Sequence, residues 1–131
     1  MTGSGGRYNN GAVYKLCPDK KGDWKLTVIE DFEYGLGGTA PAYGPIRDAA
    51  GNLYAGTDWG GASDWGTVFE LTHESKGKWA ITILLSFNGQ EGRAANELVF
   101  GKDRNLYGTT VEGGDGCWWN AGCGVVFELT P

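Results

Sequence analysis

The amino-acid sequence predicts an all-β fold built from several similar antiparallel sheets. Three observations support this prediction: a hexapeptide pattern that occurs three times, stretches in which apolar and polar residues alternate, and 24 glycines among 131 residues. Alternation with a period of two is typical of strands that are buried on one face. Frequent glycines indicate tight turns between short strands, and runs of helix-forming residues are missing.

The repeated pattern reads GAVYKL at 11–16, GTVFEL at 66–71 and GVVFEL at 124–129. Two longer patterns occur twice each, GDWKLTVIEDF at 22–32 with GKWAITILLSF at 77–87, and GNLYAGT at 51–57 with RNLYGTT at 104–110. Self-similarity at a spacing of about 55 residues indicates a repeat architecture. We expect a single domain that contains repeat 1 (about 2–56), repeat 2 (about 57–109) and a partial repeat 3 (about 110–131).

Each repeat is predicted to contain four short strands, which we call types a, b, c and d. Type a covers about 43–48 and 97–102, type b covers about 52–57 and 105–110, type c is the hexapeptide, and type d is the run that starts at Trp24 or Trp79. In type d we expect Trp24, Leu26, Val28 and Phe32 to share one face, and both tryptophans to lie in the core. Four-stranded units repeated at this spacing are typical of β-propeller blades.

The segment NLYAGTDWGGASDWGTVFEL at 52–71, followed by NLYGTTVEGG at 105–114, resembles the Gloeo/Verruco (GloVer) tandem repeat of secreted or surface-anchored bacterial proteins. The resemblance covers nearly the whole chain. It departs from the pattern at Cys17, where the other copies have threonine, and in an enlarged loop at 115–123. The resemblance implies a propeller-like, non-catalytic exported protein and implies no particular ligand.

The predicted strand order is c, d, a, b, c, d, a, b, c, which makes about two blades with one type c strand left over. A propeller protects its edges by closing a ring of about four to eight blades, so two blades alone would leave apolar faces and strand edges exposed. We therefore expect either a cyclic homo-oligomer of three or four copies or a segment of a longer protein. In a ring, the opening c and d strands of one copy would complete the a and b strands of its neighbour. A two-sheet sandwich is the alternative if the chain is a monomer.

The 11 basic and 16 acidic residues give a formal net charge of -5, which disfavours nucleic acid as a partner. No apolar stretch approaches the roughly 20 residues that span a bilayer, and residues 1–10 lack the features of a signal peptide. We expect a chain that is soluble and has no membrane span.

The two ends of such a sheet differ in chemistry, because a meander sends alternate links to opposite ends. The c-to-d and a-to-b turns are short and charged, whereas the b-to-c and d-to-a links are rich in glycine, Asn, Asp and aromatic residues. An aromatic ring stacks on the C–H groups of a sugar while neighbouring polar groups bind its hydroxyls. We predict a non-catalytic carbohydrate-binding module with the candidate ligand-binding residues Tyr8, Asn10, Asp58, Trp59, Asp64, Trp65, Asp115, Trp118, Trp119 and Asn120.

Two other functions stay open. The first alternative is a structural or assembly repeat of a larger exported protein, with its loop tryptophans packed at interfaces. The second alternative is a polysaccharide-acting enzyme with a carboxylate pair, such as Glu33 with Glu91 or Asp58 with Asp115. The single histidine, His73, lies at the other end of the sheets, which disfavours a catalytic triad and a zinc site. We expect no cofactor and no metal.

The three cysteines differ in context. Cys117 and Cys123 flank WWNAG in the enlarged loop, and a disulfide there would stabilise the chain by roughly 2 to 3 kcal/mol in the chain-entropy account. Such a bond favours the periplasm or the cell exterior. Cys17 is expected to be a free, partly buried thiol.

Overall fold

The computed structural model describes residues 1–115 and 122–131, which form three antiparallel sheets. The first sheet pairs β1 (Ala12–Pro18) with β2 (Trp24–Asp31), and the second is a meander of β3 (Ile46–Arg47), β4 (Leu53–Gly56), β5 (Thr67–His73) and β6 (Trp79–Ser86). The third sheet contains β7 (Arg93–Phe100), β8 (Leu106–Glu112) and β9 (Val126–Leu129). A one-turn 3-10 helix, Ser75–Gly77, joins β5 to β6. No helix of the described residues is long and apolar enough to cross a membrane.

The all-β prediction is confirmed, and within the described residues the strands follow the predicted order of types. The second sheet contains all four types, whereas the first has only c and d and the third has a, b and c. The arrangement of these sheets as propeller blades, the closure of a ring and the repeat boundaries stay predictions.

The type a strand is much shorter in the second sheet than in the third. β3 has two residues, whereas β7 has eight and begins before the predicted boundary at 97. The segment before β3 contains Pro41 and Pro45, and proline lacks the N–H group that a sheet ladder requires. The corresponding segment of β7 contains no proline, so pairing with β8 extends back to Arg93.

A one-residue β-bulge occurs at the same place in the first two sheets. The register of β1 with β2 skips Ile29, and the register of β5 with β6 skips Leu84. An extra residue moves every following side chain to the opposite face of the strand. Phe32 therefore lies on the inner face of the first sheet and is buried, whereas Trp24 lies on the outer face. The prediction that these two residues share one face is wrong.

The hydrophobic core lies between the sheets. One cluster joins Val13 and Phe32 of the first repeat to Phe69 and Leu71 in β5. A second cluster joins the other face of the second sheet to the third sheet and consists of Tyr54, Val68, Phe87, Ala95, Leu98 and Leu106. The second sheet is thus covered on both faces, whereas the first and third sheets each have one face that the described residues leave open.

Two sequence predictions about the first sheet need correction. Trp24 is 70% exposed, although it was expected in the core, while its repeat equivalent Trp79 is half-buried against the first cluster. The difference arises because the first sheet covers Trp79 and nothing in the described chain covers Trp24. Cys17 is free but exposed, because the Pro18 end of β1 extends beyond the packed part of the sheet.

Two repeated contacts at the loop end of the sheets explain part of the recurrent sequence. Buried Thr57 accepts a hydrogen bond from the Thr67 amide at 3.0 Å and donates to the Trp59 carbonyl at 3.0 Å. Gly38 lies directly against Thr57 with a φ of +88°. A side chain at Gly38 would overlap the Thr57 hydroxyl, so the close approach of the d-to-a link requires glycine.

At the turn end, a hydrogen-bonded network explains why the Asn-Leu-Tyr motif recurs. The Tyr54 hydroxyl donates to Glu70 Oε1 at 2.7 Å. In the third sheet, the Tyr107 hydroxyl lies 2.8 Å from Asp103 Oδ2 and 2.9 Å from Glu128 Oε1. These carboxylates raise the pKa of Tyr107 to about 12. The network ties the a-to-b turn to the neighbouring type c strand in both sheets.

Replacement of Gly38 by alanine should destabilise the protein far more than replacement of Gly22. Both glycines have left-handed φ values, +88° and +89°, so both variants carry the backbone penalty of about 1 to 2 kcal/mol. A Cβ at Gly22 contacts nothing within 4 Å, whereas at Gly38 it overlaps Thr57. We expect Gly38→Ala to cost about 2 kcal/mol more than Gly22→Ala in urea unfolding. Equal midpoints for the two variants would show that the close approach is unimportant.

Candidate ligand-binding cleft

A small cleft lies where the loop ends of the second and third sheets meet. Its volume is about 210 Å³, and its polar and aromatic lining comes from Tyr43, Asp58, Trp59, Arg93 and Glu112. Asp58 and Trp59 follow β4, Arg93 begins β7, and Glu112 ends β8. The cleft therefore requires two adjacent sheets, and neither sheet contains it alone.

Arg93 organises the cleft. Its guanidinium carbon lies 4.2 Å from the centre of the Trp59 ring and 5.2 Å from the centre of the Trp65 ring. Its Nη1 also donates to Glu112 Oε2 at 2.6 Å, across the β7–β8 pair. A cation held over an aromatic face contributes about 0.5 to 1 kcal/mol at an exposed site and more when it is desolvated. These contacts hold both tryptophans in defined orientations.

Backbone hydrogen bonds hold the loop that carries the two tryptophans. The Thr39 amide donates to the Trp59 carbonyl at 2.8 Å, and the Ala94 amide donates to the Trp65 carbonyl at 3.1 Å. Ala94 has a φ of +53°, an uncommon conformation for alanine that such a hydrogen bond helps to hold. The b-to-c loop of the second sheet is therefore tied to the d-to-a link on one side and to the start of β7 on the other.

The cleft combines exposed aromatic rings with the Asp58 carboxyl group, whose charged form is disfavoured by burial. Trp59 is 44% exposed, and Trp65 and Tyr43 are nearly as exposed. Burial raises the pKa of the Asp58 carboxyl, and the positive charge of Arg93 partly opposes this rise. Arg93 Nε is buried and has no hydrogen-bond partner in the described chain. The cleft thus offers stacking surfaces together with polar groups whose bonding is incomplete.

The structure places three of the residues that the sequence predicted around Arg93: Asp58 and Trp59 line the cleft, and Trp65 contacts Arg93 beside it. Asp64 instead shapes the loop. It has a φ of +61°, its Oδ1 accepts from the Gly60 amide at 2.8 Å, and its Oδ2 accepts from the Tyr34 hydroxyl at 2.8 Å. With both oxygens engaged, Asp64 supports the loop and is not part of the lining of the cleft.

The predicted residues of repeat 1 lie elsewhere. Tyr8 lines a separate hollow of about 360 Å³ together with Glu33, Tyr34 and Leu36. The Asn10 carbonyl accepts the Ala40 amide at 2.9 Å, which is the same supporting bond that Trp65 makes in repeat 2. Tyr8 is therefore not part of the lining of the cleft around Trp59.

The remaining predicted residues are near or within the segment that the structure does not describe. Asp115 is exposed. Cys117, Trp118, Trp119 and Asn120 lie outside the described residues, so their predicted roles, including the Cys117–Cys123 disulfide, stay predictions. Among the described residues, no group of three or more His, Cys, Asp or Glu side chains is placed to hold a metal ion. The predicted carboxylate pairs of a polysaccharide-acting enzyme, Glu33 with Glu91 and Asp58 with Asp115, stay predictions.

Sequence reasoning missed Arg93, Glu112 and Tyr43 as members of one site. Arg7 and Arg93 are the only basic residues in the glycine-rich loops, so an isolated cation among aromatic residues was a usable signal. The Arg7 guanidinium carbon is 5.5 Å from the centre of the Tyr8 ring, a weaker version of the same pairing. Which aromatic ring each arginine contacts depends on the tertiary packing of the glycine-rich loops, which the sequence does not reveal.

A larger groove, of about 580 Å³, lies at the opposite end of the same two sheets. Its lining includes Arg47, Asp48, Phe100 and Arg104. Asp48 is occupied within its own turn, because its Oδ1 accepts the amides of Gly51 at 2.6 Å and Asn52 at 2.8 Å. Asp48 thus serves its own turn, and we place the candidate site in the cleft with Trp59.

The charge of Asp58 should destabilise the fold at neutral pH. Because its folded-state pKa is raised, the stability associated with protonation is present at low pH and is lost as pH rises through that raised value. Asp58→Asn should therefore increase the melting temperature at pH 7, and the gain should shrink as pH falls towards the ordinary carboxyl value of 3.8. Exposed Asp115→Asn is the control. A gain that does not change with pH would contradict the assignment.

Comparisons with known proteins agree with the repeated motifs and the repeated sheets. The profile of the Gloeobacter/Verrucomicrobia repeat matches residues 1–131. No curated protein and no solved structure matches the chain. The resemblance seen in the NLY and VFEL motifs is thereby confirmed: the chain belongs to the Gloeobacter/Verrucomicrobia repeat family.

Proposed function

We propose that this protein is a non-catalytic carbohydrate-binding module and that the cleft around Trp59 is its binding site. The observation that carries the proposal is the pairing of two half-exposed indole rings with a half-buried carboxyl group and a fixed guanidinium. A sugar needs an apolar face and directed polar groups within a few ångströms of each other. Trp59, Asp58 and Arg93 supply that combination.

Each residue has a distinct role in this proposal. The exposed part of the Trp59 ring stacks on the C–H face of the sugar, while Asp58 accepts a hydrogen bond from a sugar hydroxyl. The N–H groups of Arg93 that Glu112 does not occupy donate to ring or hydroxyl oxygens. Because the lining contains two carboxyl groups and one guanidinium, a neutral sugar fits the charge better than an acidic one.

The small volume restricts what part of a glycan binds. Pockets for drug-sized ligands usually occupy about 300 to 1,000 Å³, and this cleft has about 210 Å³. We therefore propose that it takes a single sugar unit or the end of a glycan chain. A single small site binds weakly, and several copies on one assembly would increase the total binding through avidity.

One observation favours the second candidate, a structural or assembly repeat without a small ligand. The Trp65 ring packs on the backbone at Gly89, where an added Cβ would lie 3.2 Å from the ring, and it also contacts Arg93. Trp65 therefore has a packing role in the free protein, and Trp59 likewise contacts Arg93. An extracellular or periplasmic location, which we propose for either function, depends on the resemblance to exported proteins and on the predicted disulfide.

Trp59→Ala should abolish or strongly weaken glycan binding. The experiment is a screen on an array of neutral and acidic oligosaccharides, followed by titration with the best neutral ligand found. Loss of the stacking ring should raise the Kd at least about tenfold, which corresponds to about 1.4 kcal/mol. Tyr8→Ala is the matched control, because Tyr8 is equally exposed, at 43%, but lines a different hollow.

The outcome separates the two candidates. Binding that Tyr8→Ala retains and Trp59→Ala loses supports the cleft, provided that both variants keep the wild-type circular dichroism spectrum. If no sugar on the array binds the wild-type protein, the structural repeat becomes the better description. If both variants bind normally, carbohydrate recognition lies outside the cleft.

A further inference from the structure

The outer face of the first sheet is apolar and uncovered. Leu16, Trp24, Leu26 and Val28 are all exposed on it, between 45% and 70%. Their repeat equivalents in the second sheet are Leu71, Trp79, Ile81 and Ile83, and these pack in the cluster between the first and second sheets. The same surface is therefore buried in one repeat and open in the other.

The strands of the first and third sheets are complementary. The first sheet consists of types c and d, and within the described residues the outer edge of β1 carries only a bridge between Thr2 and Ala12 at its start. The third sheet consists of types a, b and c, and no described strand pairs with the outer edge of β9. One full sheet of the kind formed by β3 to β6 would contain β7 and β8 together with β1 and β2 of another copy.

The strand that occupies the third position of the third sheet is β9, which has the same repeat motif as β1. Phe127 of β9 packs edge-on against Phe87 at 5.4 Å, as Phe69 packs against Phe32 at 5.3 Å. However, β9 is incompletely covered: Val126 is 79% exposed, whereas its equivalents Val13 and Val68 are 1% and 0% exposed. β9 is thus held on one face only.

We propose that the β1–β2 hairpin of a second copy of this chain replaces β9 and completes the third sheet as a four-stranded sheet. The hairpin then lays its open apolar face against Phe87 and the adjoining part of the second sheet. A second copy is the occupant because its hairpin carries the repeat residues that this position accepts within the chain. Repeated head to tail, the exchange gives two full sheets per copy, and three or four copies give about six or eight sheets, within the range of closed rings.

The register of the exchange follows from the existing pairs. Leu106 pairs with Leu129 in the chain, so Leu16 of the second copy would pair with Leu106. Lys15 of that copy would then replace Glu128 beside Asp103 and Tyr107. Replacing a carboxylate by an ammonium group next to Asp103 converts a repulsive neighbour into an attractive one. The exchange therefore gives up the hydrogen bonds of Tyr107 and Asn105 to Glu128 and gains an attractive charge pair with Asp103.

The first test measures mass by sedimentation equilibrium over the micromolar range. The wild-type chain should have three or four times the monomer mass of 14.0 kDa. Leu26→Asp places a charge on the open face and should raise the dissociation constant at least 100-fold. Thr27→Asp adds the same charge to the opposite face of β2 and should leave the mass unchanged.

Phe127→Ala weakens the packing of β9 on the second sheet and should therefore strengthen assembly. The proposal would be overturned if the wild-type chain is a folded monomer, if Leu26→Asp leaves the mass unchanged, or if Phe127→Ala weakens assembly.

The second test detects the strand pairing by a disulfide between copies. Continuing the register by one residue places Cys17 of the second copy opposite Asn105, and Cys17 is free and exposed. Directly opposed strand residues have a Cα separation that a disulfide can bridge. Asn105→Cys should form covalent oligomers in high yield under mild oxidation, visible on non-reducing gels. Asn52→Cys, the same position in the second sheet, should not. Equal yields, or no covalent oligomer from Asn105→Cys, would refute the exchange.

Discussion

Every sheet of this chain needs a neighbouring sheet to cover its apolar faces, and the rest of the structure depends on this constraint. A sheet of two to four short strands has no interior of its own, so its phenylalanines are buried only when they reach the next sheet. Phe32 packs on Phe69, and Phe87 packs on Phe127, in nearly the same geometry. Full burial of such a side chain contributes about 1.5 to 3 kcal/mol. The repeated motifs are therefore the residues of a repeated interface between sheets.

The same constraint creates the candidate binding cleft. Close approach of neighbouring sheets brings the link of one repeat against the loop of the previous one, and backbone hydrogen bonds hold them together. At equivalent positions the first junction has Ser4, Asn10 and Thr39 where the second has Trp59, Trp65 and Arg93. The scaffold is common to both junctions, while the described aromatic cleft occurs at the second. A rigid repeated framework with variable loop residues suits a binding protein, because the loops change without loss of the core.

The candidate site was only partly predictable. Asp58, Trp59 and Trp65 stood out because aromatic and acidic residues in glycine-rich loops have no role in an alternating strand. Arg93 was not recognised, because it is distant in sequence and meets the two tryptophans only when β7 packs beside the second sheet. Asp64 was assigned to ligand binding, but its carboxylate accepts hydrogen bonds within the loops. A loop residue that binds its own backbone and one that binds a ligand have the same appearance in a sequence.

The all-β class, the order of the strand types and their approximate limits were determined by the sequence alone, because period-two alternation and turn residues are local properties of the chain. The exposure of each strand was decided only by the tertiary structure. The bulges at Ile29 and Leu84 reverse the facing of the residues that follow, and nothing in the alternation of apolar residues marks them. Trp24 and Trp79 occupy identical positions in their repeats, yet one is exposed and the other half-buried. The reason is physical: burial depends on which sheet lies opposite, and that neighbour is not a property of the segment itself.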